Sequence, residues 1–392
     1  MTATMVTLDA LLDAATALVL KSVETETVGL HDATGRTLAA PIHADRDLPP
    51  FNRAAMDGFA LLHSAFEDRM TCVGRVDAGA AAPIHISTYT CVSIATGAAM
   101  PAGLDTVVPH ELTSRDGDDV LFEKRPECCA NVHPQAADAH RGDQLVPQGA
   151  ILGPAEIGLA AACGVDQMAV RRLLTATICT TGDEVVSTTG TPTDHQIRNS
   201  NGPMVAAMLG QLGCTCATQH LADDLDATIA ALGSIPSDVD MLITSGGISA
   251  GDRDFVPAAL EALGVHWDVV HAAVQPGRPV RLGRLGSTIV VCLPGNPVSA
   301  LVMGRVLLER ITAALHDRPA PAWTPLPLGI DVQANPRREL LRPAVERDGA
   351  AYVPSWQGSG DLAHTAGMNA IVRLPMQSEV VPAGTRVPVL RT

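Results

Sequence analysis

At 392 residues the chain is too long for one ordinary core, so roughly two to four domains are expected. Lys and Arg total 27 against 42 Asp and Glu, a formal charge of −15, which excludes nucleic acid and anionic membranes as general partners. It does not exclude an anionic small molecule held by backbone donors or through a metal.

Aromatic residues make up only 3%, so the core must rest on Ala, Val, Leu and Ile, and 34 Gly with 28 Pro call for many turns and short strands. Nine cysteines are scattered singly apart from Cys128-Cys129 and Cys214-x-Cys216. With no Cys-x-x-Cys pair a zinc ribbon is not expected, and free thiols in a reducing compartment are. Leu8, Leu11, Leu12, Ala15, Leu18 and Val19 follow helical spacing, with Asp9 and Asp13 between them. This segment reads as an amphipathic helix rather than a signal peptide or membrane span, and cytoplasmic residence follows. From there to about residue 172 the chain is rich in Gly, Pro and short β-like runs at 71–76, 90–94 and 119–122, which read as antiparallel strands. Two stretches among them, 49–59 and 94–103, read by propensity as loops only. A helix follows Pro154 and ends at Gly164.

Near Leu174 the pattern becomes an alternation of strands and helices, the signature of βαβ units. Helices are predicted over 203–212, capped by Asn201; after Asp223-Asp224; over 255–263; and from Pro297 to about 314, with Asn296 placed to cap it. Residues 317–325 form a Pro-rich linker, and the remainder reads as a small β domain.

Three apolar runs in this part end in Gly-rich polar loops: 176–184, 241–252 and 289–297. In an open α/β sheet ligands bind at the carboxyl ends of the strands. Ser245-Gly246-Gly247 lets a backbone approach a ligand closely, although a Gly-Gly pair is most often only a turn. Leu293-Pro-Gly-Asn-Pro-Val-Ser299 opens a helix whose unpaired N–H groups suit phosphate. Glu184, Asp223 and Asp254 adjoin strand ends, and a hard cation such as Mg²⁺ takes one or two carboxylates plus phosphate oxygens. Taken singly, each is as readily a partner of a helix dipole.

In this order and spacing, Pro-Pro-Phe-x-x-x-Ala-Met-Asp-Gly-Phe (49–59), Thr-Gly-Ala-x-x-Pro (96–101), Thr-Gly-Asp-Glu (181–184), Ser-Gly-Gly-Ile-Ser (245–249), Pro-Gly-Arg-Pro (276–279) and Leu-Pro-Gly-Asn-Pro-Val-Ser-Ala (293–300) resemble the molybdopterin molybdenumtransferase family, MoeA and the C-terminal part of gephyrin. The resemblance spans nearly the whole chain. It implies a multidomain α/β plus β fold. Residues 1–173 would form an N-terminal region, with helical and linker parts at 1–45 and 143–173 around a β-rich insertion at about 46–142. Residues 174–318 would form a three-layer, mostly parallel α/β domain that binds molybdopterin, and 325–392 a small β domain. It also implies Mg²⁺-dependent insertion of molybdate into adenylylated molybdopterin, with release of AMP and molybdenum cofactor. The site would lie between subunits of a homodimer served by an upstream adenylyltransferase and serving target molybdoenzymes. Carried over residue by residue, Asp57, Thr96 and Asp138 would come from the partner subunit. Glu184, Asp223 and Asp254 would act in catalysis and hold the metal. Ser245, Gly246, Gly247 and Ser249 would cradle the ligand phosphates. Pro294 and Pro297 would shape the loop at the molybdate pocket, Ser359 would be the last domain's contribution to the cleft, and Thr181, Gly182, Asp183, Arg278, Gly295, Asn296, Ser299, His133 and His271 would also bind substrate.

Three departures bear on the oxyanion. His133 stands where the family commonly has Arg, with Ala136 and Ala137 following it in place of Gly and Glu. His271 and Gln275 stand at or near common Lys positions. Arg278 and Arg281 remain as substitute cations. Two His in place of fixed cations predict tighter molybdate binding near ~pH 6 than ~pH 8, against the plainer reading of drift in an active enzyme. Two further readings stay open: a carrier or scaffold that binds molybdopterin without turnover, and a molybdopterin adenylyltransferase.

Overall fold

The computed structural model describes residues 5–80, 87–248 and 254–392. At its centre is a six-stranded sheet in the order Cys214–Leu221, Leu174–Thr181, Met241–Ser245, Thr288–Leu293, Arg281–Leu285, His266–Val269. The first four strands run parallel, and the last two are added antiparallel. The apolar runs read in the sequence are these parallel strands, and their period of two divides the side chains between two cores. Ile178, Ile243 and Val291 face one, while Cys179, Leu242, Val290 and Cys292 face the other. Helices Leu8–Ala17, Asn201–Gln211 and Pro297–Leu315 cover the first face, and Leu225–Gly233 with Phe255–Ala262 cover the second.

The Leu8–Ala17 helix begins where the Thr7 hydroxyl accepts the Ala10 N–H (3.2 Å) and buries Leu8, Leu11, Leu12 and Ala15. It packs in the central core beside Leu307 and Leu308, although sequence order groups it with the N-terminal region. Thr25–Gly29 pairs antiparallel with Gln167–Arg171, and Ile42–His43 with Gln144–Val146. Nested in sequence inside both pairs is a second six-stranded sheet, ordered Thr106–Pro109, Gly58–Leu61, Thr90–Ile94, Arg69–Val76, Asp119–Phe122, Thr113–Asp116. The expectation of antiparallel pairing fails at one place: Arg69–Val76 and Thr90–Ile94 run parallel. The connection over 77–89 is long enough for the crossover that a parallel pair requires.

A third sheet is ordered Val274–Gln275, Glu339–Arg347, Ala370–Leu374, Arg386–Arg391, Trp323–Pro327. Its Val274–Gln275 edge comes from the α/β part of the chain and runs parallel to Glu339–Arg347. Arg373 ties this sheet to the start of the chain. Its guanidinium donates to both Asp9 oxygens (2.7 and 2.9 Å) and to both Glu339 oxygens (3.0 Å each). No helix among the described residues is long and apolar enough to cross a membrane.

Candidate active site

The strand order reverses beside Leu174–Thr181. The chain goes from this strand to Cys214–Leu221 on one side and then to Met241–Ser245 on the other. Such a switch point opens a crevice at the carboxyl ends of the strands. Register makes the crevice level, with Thr180 opposite Ser245 and Ser245 opposite Leu293. The three Gly-rich loops therefore leave three adjacent strands at one height. They surround a cleft of about 620 Å³ lined by Thr181, Gly182, Glu184, Asp223, Ser245, Gly246, Gly247, Asp254, Pro294, Gly295, Asn296 and Pro297.

Two glycines set its floor. Gly182 has φ +118, and a Cβ there would stand 2.7 Å from the Glu184 carboxylate oxygens. Gly246 has φ +95, and a Cβ there would stand 2.7 Å from the Thr181 hydroxyl. A side chain at either position would be strained; at Gly182 it would displace the Glu184 carboxylate, and at Gly246 it would press the loop against Thr181. Asp183 and Asp223 lie face to face, the Asp183 N–H donating to Asp223 Oδ2 at 3.2 Å. Ser249 lies outside the described residues.

Asn201 was expected to cap the helix that follows it. Instead, the Asn199 side chain accepts the Gly202 N–H (2.9 Å), and Asn201 turns into the cleft. Its Nδ2 donates to Ser245 Oγ (2.9 Å) and to the Gly295 carbonyl (2.7 Å), and Ser245 Oγ donates to the Pro294 carbonyl (3.1 Å). One amide thus braces two of the three loops. Asn296 likewise makes no side-chain cap hydrogen bond; its Nδ2 donates to Ser359 Oγ (2.9 Å). The Val298 N–H donates to the Ser359 carbonyl (3.0 Å), and Pro297 has no N–H to offer. The start of this helix is therefore partly satisfied by the chain itself, and fewer of its donors face an anion than the sequence suggests.

A second cavity of about 650 Å³ adjoins the first, sharing Pro279 and Asn296. It brings together Arg278, Ser299 and Ser359 with Gln275, Arg338 and Trp356. Arg338 was missed in the sequence; the signal available was an Arg pair after the Asn335-Pro turn, which nothing local ties to residue 278. Arg281, expected to substitute for lost cations, instead stacks over the Trp267 ring (5.6 Å) and pairs with Glu261 (3.8 Å). Gln275 Oε1 accepts from the Asn335 amide. His271 lines neither cavity. Burial, with Arg281 and Arg278 nearby, pushes its imidazole below the usual range, and its Nδ1 is buried with no hydrogen-bond partner among the described residues.

The remaining candidates gather on the second sheet's rim. The Thr96 N–H (2.6 Å) and hydroxyl (2.9 Å) both donate to Asp57 Oδ1, and together they hold the Asp57 carboxyl below its ordinary range. His133 Nε2 lies 3.0 Å from Asp138 Oδ1. Both pairs hang on one strip: Val132–His133 pairs with Arg53–Ala54, and the Gly97 N–H donates to the Ala54 carbonyl (2.8 Å). Neither cavity is lined by these residues within one chain. Among the described residues no three His, Cys, Asp or Glu side chains group closely enough to hold a metal by themselves. Mg²⁺ needs only one or two carboxylates, with water and substrate oxygens completing its shell, and three carboxylates around one cleft fit that donor set.

Fold and site define an α/β protein with a Gly-loop cleft at a sheet switch point. Residues 6–164 match the family model described as the MoeA N-terminal region (domain I and II), and residues 177–313 match the probable molybdopterin binding domain. The molybdopterin molybdenumtransferase of Synechococcus elongatus is 32% identical over 379 residues, 93% of this chain and 94% of that one. The enzyme of the same name from Bacillus subtilis is 30% identical over 388 residues, covering 94% and 90%. The crystal structure of the molybdopterin biosynthesis MoeA protein from Pyrococcus horikosii superposes with TM-score 0.79 at 25% identity, over 99% of each chain. The chain belongs to the molybdopterin molybdenumtransferase family and is a transferase of molybdenum cofactor biosynthesis.

Proposed function

We propose that the chain inserts molybdenum into adenylylated molybdopterin and releases AMP and molybdenum cofactor. The observation that carries this reading is the junction of two cavities. One is ringed by Gly loops and by Glu184, Asp223 and Asp254, and its neighbour is lined by Arg278 and Arg338. The first suits a phosphate-bearing nucleotide, since backbone N–H groups and glycines let phosphate oxygens approach. The second offers two guanidiniums and the Ser299 and Ser359 hydroxyls to a tetrahedral oxyanion, which guanidinium forks bind in pairs. Asn296 and Pro279 border both, so the two ligands would meet there.

One or two of Glu184, Asp223 and Asp254, together with substrate phosphate oxygens, would hold Mg²⁺, which when bound would neutralise phosphate charge at the bond that releases AMP. Asn201 orients the Ser245 and Gly295 loops around the ligand. Asp57, kept ionised by Thr96, would reach the cleft from the other subunit of a homodimer, with His133 and Asp138 beside it. In the cytoplasm an adenylyltransferase would supply the substrate and molybdoenzymes would take the product.

Purified protein given adenylylated molybdopterin, Mg²⁺ and molybdate should release AMP only when molybdate is present. Asp57→Ala and Glu184→Ala should each abolish that release while leaving far-UV circular dichroism unchanged. Tight binding without turnover would replace this reading with a carrier. ATP-dependent formation of the adenylate would replace it with an adenylyltransferase.

A further inference from the structure

Of the nine cysteines all are free, and seven are buried or half-buried; Cys128 and Cys129 alone are exposed. These two are neighbours in sequence with their sulfurs 3.6 Å apart. The turn that carries them is fastened from behind. The Cys129 N–H donates to Thr106 Oγ1 (3.0 Å), the Ala130 N–H to the Glu127 carbonyl (3.2 Å) and the Val107 N–H to the Ala130 carbonyl (2.9 Å). Cys129 itself has φ +60, a left-handed conformation that a side chain of this size adopts only when its surroundings hold it there. Two solvent-facing thiols are thus kept side by side on a fixed turn rather than free to swing apart.

We propose that Cys128 and Cys129 form a reversible thiol–disulfide site that reacts with small-molecule disulfides. One thiolate attacks a disulfide RS–SR, forming a protein–SR mixed disulfide and expelling one RSH. The neighbouring thiol gives up its proton and attacks the protein sulfur of that mixed disulfide. The Cys128–Cys129 bond forms, the second RSH leaves, and two electrons have passed from the protein to the reagent. Proximity makes the second step intramolecular and fast. Adjacent Cα atoms are about 3.8 Å apart, shorter than the roughly 4.4–6.8 Å of ordinary bridges, so the ring closes under strain. A strained, exposed bridge is reduced readily, which makes the site reversible rather than structural. The turn also lies close to the Asp57 loop, because the Asn131 carbonyl accepts the Ala55 N–H (2.9 Å).

Full-length reduced protein would be incubated with oxidised glutathione, quenched with an alkylating agent and mapped by mass spectrometry. The expected product is an internal Cys128–Cys129 link, lighter than the dithiol by two hydrogens and reversed by dithiothreitol. It should form at least about tenfold faster than any modification at half-buried Cys72. Cys128→Ser and Cys129→Ser should each stop at a stable glutathione adduct on the remaining thiol. A wild-type protein that accumulates glutathione on Cys128 or Cys129 without the internal link would overturn the proposal, as would one in which the pair reacts no faster than Cys72.

Discussion

A single amide, that of Asn201, braces two of the three loops that form the cleft. Its two hydrogen bonds, to Ser245 and to the Gly295 carbonyl, span strands that local sequence does not connect. Asn201→Ala should cost about 1 kcal/mol of stability, because it removes two hydrogen bonds, of which only the one to Ser245 has a buried partner. It should lower kcat for AMP release by at least about tenfold, as positioning losses do, with a smaller change in KM. Urea unfolding and steady-state kinetics would measure the two effects separately; unchanged kcat would remove Asn201 from the machinery. Asn201 shows where sequence reading stops. Glycines, carboxylates and strand-end prolines are legible because their chemistry is local and their spacing is fixed by the strand. Which way an asparagine at a helix start turns depends on loops more than forty residues away, and capping by Asn199 freed it for that role. Arg338 was hidden for the same reason, since only the third sheet carries it to Arg278.

The Pro297–Leu315 helix shows how one element reconciles opposing forces. Its C-terminal cap is His316, and a cation at a helix C-terminus is ordinarily favoured by roughly 0.3–1 kcal/mol. Here the side chain is only 4% exposed, and burial, reinforced by Arg318, pushes the imidazole down to about 4. Desolvation therefore outweighs the dipole. The unfolded chain binds that proton near ~6.5, so the stabilisation is complete above about pH 6.5 and is lost as pH falls toward 4, on the order of 3 kcal/mol in all. His316→Leu should flatten the stability profile between those pH values, as read by denaturant midpoints at fixed temperature. An unchanged slope would mean that His316 is not the titrating group. Helix and strand positions in this region were legible from periodicity and punctuation. The parallel pairing of Arg69–Val76 with Thr90–Ile94 was not, because short β-like runs carry no record of which neighbour they choose.

For the whole molecule, the proposed site is composite: Asp57 and Glu184 would serve one cleft from different subunits. If so, mixing Asp57→Ala and Glu184→Ala chains under conditions that exchange subunits should restore activity. Half of the dimers would be mixed, and each would hold one intact cleft of two, so AMP release should recover to about a quarter of the wild-type rate. Sedimentation would confirm the dimer, and no recovery in an exchanged mixture would place both residues in the same subunit's cleft. The central core has a different reach along the chain. It holds Leu8, Leu11 and Leu12 together with Leu341, Ile371 and Leu390, and Arg373 fastens Asp9 to the last sheet. This contact has a consequence in time. At roughly 5–20 residues per second a ribosome takes about 20–80 s to travel between those points. For most of that interval, until the Pro297–Leu315 helix has been made, the Leu8–Ala17 helix lacks the partner its leucines pack beside. The nascent protein must carry an uncovered apolar stripe until that helix emerges, so a segment made early is buried late.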